Sequence, residues 1–124
     1  MSIRRSKDIE ELFRNVSIQN SRYDVEAYSF VLEALSFTLR KLKELRHLNA
    51  AELLEGIRQY AIKSFGPMAK TVFETWGIKS CEDFGEVVYD LVRIGLITKR
   101  ESDSKAEFRE GYDFQEAFEK PFWV

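Results

Sequence analysis

Cysteine and histidine each occur once in the 124 residues, proline twice, and no apolar run is long enough to cross a bilayer. A lone Cys81 excludes an internal disulfide, and His47 has no second His or Cys near it in sequence to complete a clustered metal site. The glycines form no phosphate loop, since the run Gly66-Pro67-Met68 lacks the spacing that cradles an anion. The start MSIRRSKDIEELF reads as neither leader nor anchor, so the expected location is the cytoplasm. A large excess of one charge is absent as well. Nineteen Lys and Arg stand against 21 Asp and Glu, and a formal charge of −2 argues against bulk polyanion binding. No cofactor is called for.

What is present is the material of a core. Hydrophobic residues make up 44% and aromatics 14%, ten of them Phe, which fits one domain. Charge is unevenly spread. Residues 1–79 hold 13 Lys and Arg against 10 Asp and Glu, whereas residues 80–124 hold 6 against 11.

Helix punctuation organises the stretch 49–110. Asn49 precedes Glu52 by three residues, and Ser80 precedes Asp83 likewise, which is capping-box spacing. Between them Gly66 ends one helix and Pro67 begins another, and Gly77 and Gly95 are further stops. Gly56, inside the helix 50–65, marks the close approach of another element. After Gly95 the run 96–100 alternates like a strand, and 106–108 can return as its partner.

The expectation is therefore a mostly α single domain with a small β-hairpin, built like a winged helix-turn-helix with extra N-terminal helices. Ahead of that core, a short amphipathic helix near 6–15 and a connector fill residues 1–20. A long buried helix covers 22–45, with Ser21 and Asp24 in a third capping-box spacing. Residues 111–124 form an aromatic and acidic end, whose Phe114 and Phe118, four apart, suit a short helix docked on the domain.

The helix 81–94 bears most on function. Phe84, Val87, Val88, Leu91, Val92 and Ile94 share one arc, and Glu82, Asp83, Glu86 and Asp90 occupy the other. An acidic face in the recognition position opposes contact with duplex phosphates. It suits a basic protein partner instead, with Phe118, Phe122 and Trp123 of the chain end as aromatic anchors. The opposite chemistry gathers at Arg40, Lys41, Lys43 and Arg46. These cations complement a helix C-terminus and are the candidate anion contact.

The runs HLNAAELLEGIRQYAIKSFGPMAKTVFETWGI, CEDFGEVVYDLVRIGLITKRESDS and GYDFQEAF, with YDVEAYSFVLEAL upstream, resemble a family of small uncharacterised bacterial proteins. The resemblance covers about residues 23–122 and implies no activity and no catalytic residue.

Three functions compete. One is a protein-interaction module using the acidic face and the aromatic end. Another is a nucleic-acid-binding regulator using Arg4, Arg5 and Lys7 or the 40–47 cluster, which the charge balance disfavours. The last is an enzyme or small-ligand protein with a site hidden from a single sequence. Cys81 begins a helix, but Glu82 and Asp83 oppose a thiolate there, and Asp83, Glu86 and Asp90 as a magnesium set lack a carboxylate from a second element. A homo-oligomer is compatible with each reading, and no membrane contact is expected.

Overall fold

The computed structural model describes residues 1–3, 22–42 and 46–123. The expected helix at 6–15, its connector, Ser21, Arg4, Arg5, Lys7 and Lys43 lie outside the described residues. Helix α1 runs Val25–Arg40, three residues later at its start than expected, because Asp24 is the cap: its carboxylate accepts the Glu26 N–H at 2.9 Å.

Helix α2 spans Ala50–Phe65 and begins with a complete capping box. The Asn49 amide oxygen accepts the Glu52 N–H at 2.8 Å, and the Glu52 carboxylate accepts the Asn49 N–H at 3.1 Å. A 3-10 turn, Gly66–Met68, leads to the short α3, Ala69–Thr75. Helix α4 spans Cys81–Arg93. Helices α3 and α4 both end in Schellman motifs. Ile78 N–H donates to Phe73 O at 2.9 Å behind Gly77 (φ 88°), and Leu96 N–H donates to Leu91 O at 2.9 Å behind Gly95 (φ 87°).

The described chain is mostly helical, and its β pairing differs from the expected hairpin. Strand β2, Ile97–Thr98, pairs antiparallel with β1, Ser2–Ile3, matching Thr98 to Ser2 and Ile97 to Ile3. Residues 105–110, which include the expected return strand, wind into a 3-10 helix. The cause lies in Ser104 and Glu107. The Ser104 hydroxyl accepts the Ala106 N–H at 3.3 Å and the Glu107 carboxylate accepts the Ser104 N–H at 2.9 Å, which starts a helical turn and leaves β2 to the N-terminal strand. The turn drives Phe108 into α4 at Gly85, where an added Cβ would lie 2.8 Å from the Phe108 Cβ. No returning strand exists among the described residues, so a hairpin wing is not formed there.

The core lies where α1 crosses α2 and α4. Gly56 permits the first crossing, for a Cβ at that position would lie 1.8 Å from Thr38 Oγ1. Aromatic rings fill the space below α1. Phe73 has Phe30, Phe84 and Phe118 within 5.3 Å, centroid to centroid, at steep angles that set ring edges against ring faces. Helix α5, Phe114–Phe118, closes this cluster, and a last 3-10 turn, Lys120–Phe122, carries the chain back to the surface.

Candidate interaction surfaces

Helix α4 places its four acids in two different environments. Asp83 and Asp90 are each only 7% exposed. Tyr23 Oη donates to Asp83 Oδ1 at 2.6 Å, Lys79 N–H donates to its Oδ2 at 2.8 Å, and the Arg22 guanidinium lies 3.4 Å away. Two turns on, Tyr28 Oη donates to Asp90 Oδ2 at 2.7 Å and Arg93 lies 3.2 Å from Oδ1. These carboxylates are therefore not an open face. They fasten the start of α1 along α4, and their hydrogen bonds offset the cost of burying charge.

The Ser80 box is altered by the same arrangement. Ser80 is the cap residue but its side chain caps nothing, while the Asp83 carboxylate reaches past it to Lys79. Burial pushes the Tyr23 and Tyr28 phenols well above the ordinary value of 10.0, and the adjoining carboxylates add to it through hydrogen bond and charge.

Glu82 and Glu86 do face outward, and each meets a cation from the 3-10 helix at 105–110. Arg109 lies 3.4 Å from Glu82 and Lys105 lies 3.1 Å from Glu86. The expected acidic arc is thus half internal and half neutralised by its neighbour. The imagined magnesium set is dispersed in the same way, with Asp83 and Asp90 turned toward tyrosines and Glu86 toward Lys105. Among the described residues no group of three or more His, Cys, Asp or Glu is arranged to hold a metal ion.

Cys81 is packed. Its thiol donates to Tyr112 O at 3.4 Å, and burial pushes its pKa up to about 12, far from a nucleophile's range. His47 is half-buried, with Nδ1 lacking a hydrogen-bond partner among the described residues.

The aromatic end divides too. Phe118 is fully buried with its ring 5.1 Å from Phe114, so it is a core residue and not an exposed anchor. The expected docking of that pair as a short helix is what the chain does. Beyond it, Phe122 is 37% exposed and Trp123 59%, with Lys120 Nζ 6.0 Å from the Trp123 ring. Salt bridges hold the segment under them: Lys120 pairs with Glu116, and Glu119 meets Lys70 at 2.8 Å.

Among the cations, Arg46 forks onto Glu52 at 2.9 and 2.5 Å and, with the Asn49 N–H, holds that carboxyl near a pKa of about 2. Arg40 and Lys41 are exposed. Lys41 Nζ donates to Gln59 at 2.9 Å and lies 4.2 Å from the centre of the Phe37 ring, where Lys63 joins it at 5.3 Å.

The sequence reading missed Tyr23, Tyr28 and Lys63. Tyr28 carried a signal: a phenol within an apolar stripe needs a buried acceptor. Lys63 carried none, since α2 alone places it on a solvated face. No family model, no curated protein and no solved structure matches this chain.

Proposed function

We propose that the protein is an interaction module and that Phe122 and Trp123 are its contact with a protein partner. The observation that carries this is the exposure of Trp123, at 59%, beside a Phe122 at 37%, while the other aromatic rings among the described residues are buried or half-buried. A large ring left in water on a braced turn keeps its burial energy for association. The charges beneath it are already paired, so an apolar partner surface costs less desolvation there than it would over unpaired charges. Glu82 and Glu86 remain the outward acids of the proposal; Asp83, Asp90 and Phe118 act through the fold that presents them.

The scaffold keeps the order of a winged helix-turn-helix, with α2, α3 and α4 leading to β2, and this reading of the fold is part of the proposal. So is membership of the family of small bacterial proteins that the sequence resembles, which brings no activity with it. The test replaces Phe122 and Trp123 with Ser and compares partner recovery with the unmodified chain, with sedimentation measured in parallel to separate a second copy from another protein. Loss of the partner at an unchanged melting temperature supports the proposal. Undiminished recovery removes it.

A further inference from the structure

Beside the crossing of α1 and α2 lies a groove of about 410 Å³ whose apolar lining is Phe37, Leu42, Ala51 and Gly56. Its rim carries charges of both signs, and the two signs differ in how they are satisfied. The acids are compensated: Glu52 holds the Arg46 fork, and Glu55 accepts from Arg58 at 2.9 and 2.5 Å and from Gln59 at 3.1 Å. The cations have no such partner among the described residues. Lys41 is bound to the neutral amide of Gln59 and to the face of Phe37, Lys63 approaches the same face, and Arg40 is exposed beside Lys41. Among the described residues no carboxylate lies within ion-pair distance of these three. Glu33, on the same side, accepts the Tyr60 hydroxyl at 2.9 Å, and the Tyr60 ring lies 5.1 Å from Phe37, tilted at 43°.

We propose that this groove docks an acidic segment of a partner protein, an apolar side chain entering beside Phe37 and Leu42 while carboxylates meet Lys41, Lys63 and Arg40. The charge pattern selects a peptide over a nucleic acid. A polynucleotide carries a charge at every step, and along the groove it would meet Glu52 and Glu55 as well as Lys41. A peptide can set apolar side chains opposite those acids and carboxylates opposite the lysines. This surface is carried by α1 and α2 and is independent of Phe122 and Trp123.

The experiment is fluorescence anisotropy with a labelled synthetic peptide in which Glu alternates with Leu and Phe. The same peptide with Gln for Glu, and single-stranded oligo-dT, serve as comparison probes. The Glu peptide should bind, weaken with added salt, and lose about tenfold in affinity to the Lys41→Glu, Lys63→Glu double variant. The Gln peptide should bind less well and oligo-dT not at all. Both lysines are on the surface, and a thermal melt of the variant matching the unmodified protein shows that the fold is kept; if that variant melts early, Lys41→Gln with Lys63→Gln replaces it. Absent binding of the Glu peptide, or binding that the double variant leaves unchanged, overturns the proposal, as does oligo-dT binding that the variant abolishes. A Phe122→Ser, Trp123→Ser chain should still bind the peptide, so failure of the one surface is read separately from failure of the other.

Discussion

Tyr28 and Asp90 meet at 2.7 Å inside the protein, the phenol in the first turn of α1 and the carboxylate near the end of α4. The pair fixes how the two helices lie, and a second pair, Tyr23 with Asp83 at 2.6 Å, fixes the same contact two turns earlier on α4. Between them they turn acids that look solvated in sequence into a fastening.

Removing one partner should therefore cost more than removing an outer acid. Tyr28→Phe leaves Asp90 buried with one donor fewer, and a loss of about 1–3 kcal/mol is expected. Asp90→Asn keeps an acceptor and should lose about 1 kcal/mol. Glu86→Gln, which breaks only the ion pair with Lys105, should stay within about 0.5 kcal/mol. Urea denaturation of the three variants and of the Tyr28, Asp90 double variant gives these values, and a coupling energy near zero between Tyr28 and Asp90 would show that the pair does not act as one.

Alkaline pH should unfasten the same contact. Tyr23 and Tyr28 have phenol pKa values raised above 10.0 in the fold. A raised folded value means the contribution is full below the ordinary value and is lost as pH rises beyond it toward the folded one. The unmodified protein should lose stability above pH 10, and Tyr23→Phe with Tyr28→Phe should flatten that dependence while lowering stability at neutral pH. Phenolate absorbance followed with circular dichroism checks whether these tyrosines titrate only as the fold opens.

Acid acts on the start of α2. Glu52 has its pKa depressed from 4.5 to about 2, first by the hydrogen bonds from Arg46 and then by that from the Asn49 N–H. A depressed value gives stability that is present above pH 4.5 and lost as pH falls through about 2. Arg46→Ala should raise the pH at which acid unfolding begins, and Asn49→Ala should cost about 1 kcal/mol at neutral pH through the lost cap. Acid titration monitored by circular dichroism measures both.

The α1–α2 crossing is tested by Gly56→Ala. The new methyl would lie 1.8 Å from Thr38 Oγ1 and 2.9 Å from its Cβ, so the helices must separate at an expected cost of about 1–3 kcal/mol. Adding Thr38→Ala should recover part of that loss, since it removes the nearer atom. A melting temperature unmoved by Gly56→Ala would mean that the crossing is looser than described.

Local signals were the legible part of the sequence. Asn49 with Glu52 specified a capping box, Gly77 and Gly95 specified helix ends, Gly56 specified a close approach, and Phe114 with Phe118 specified a docked helix. Each depends on residues a few positions apart. Ser104 with Glu107 was equally legible, yet alternation around Ala106–Phe108 was read as a strand; the capping spacing was the stronger signal because it satisfies two backbone donors at once. The candidate site was less legible. Whether Asp83 and Asp90 face water depends on tyrosines some 60 residues away, and helical periodicity on α4 has no access to that. Lys63 was hidden too, more than 20 residues from Phe37 and Lys41, to which only the α1–α2 packing brings it.

The measurement that tests the functional account most directly is photocrosslinking in the native cell, with a benzophenone side chain placed at Trp123 in one chain and at Glu86 in another. Both positions reach the surface, one on the exposed aromatic turn and the other on what remains of the acidic arc. The account predicts a discrete adduct from position 123 that the Phe122→Ser change diminishes, with a weaker adduct or none from position 86. A discrete adduct from position 86 with none from position 123 would contradict it.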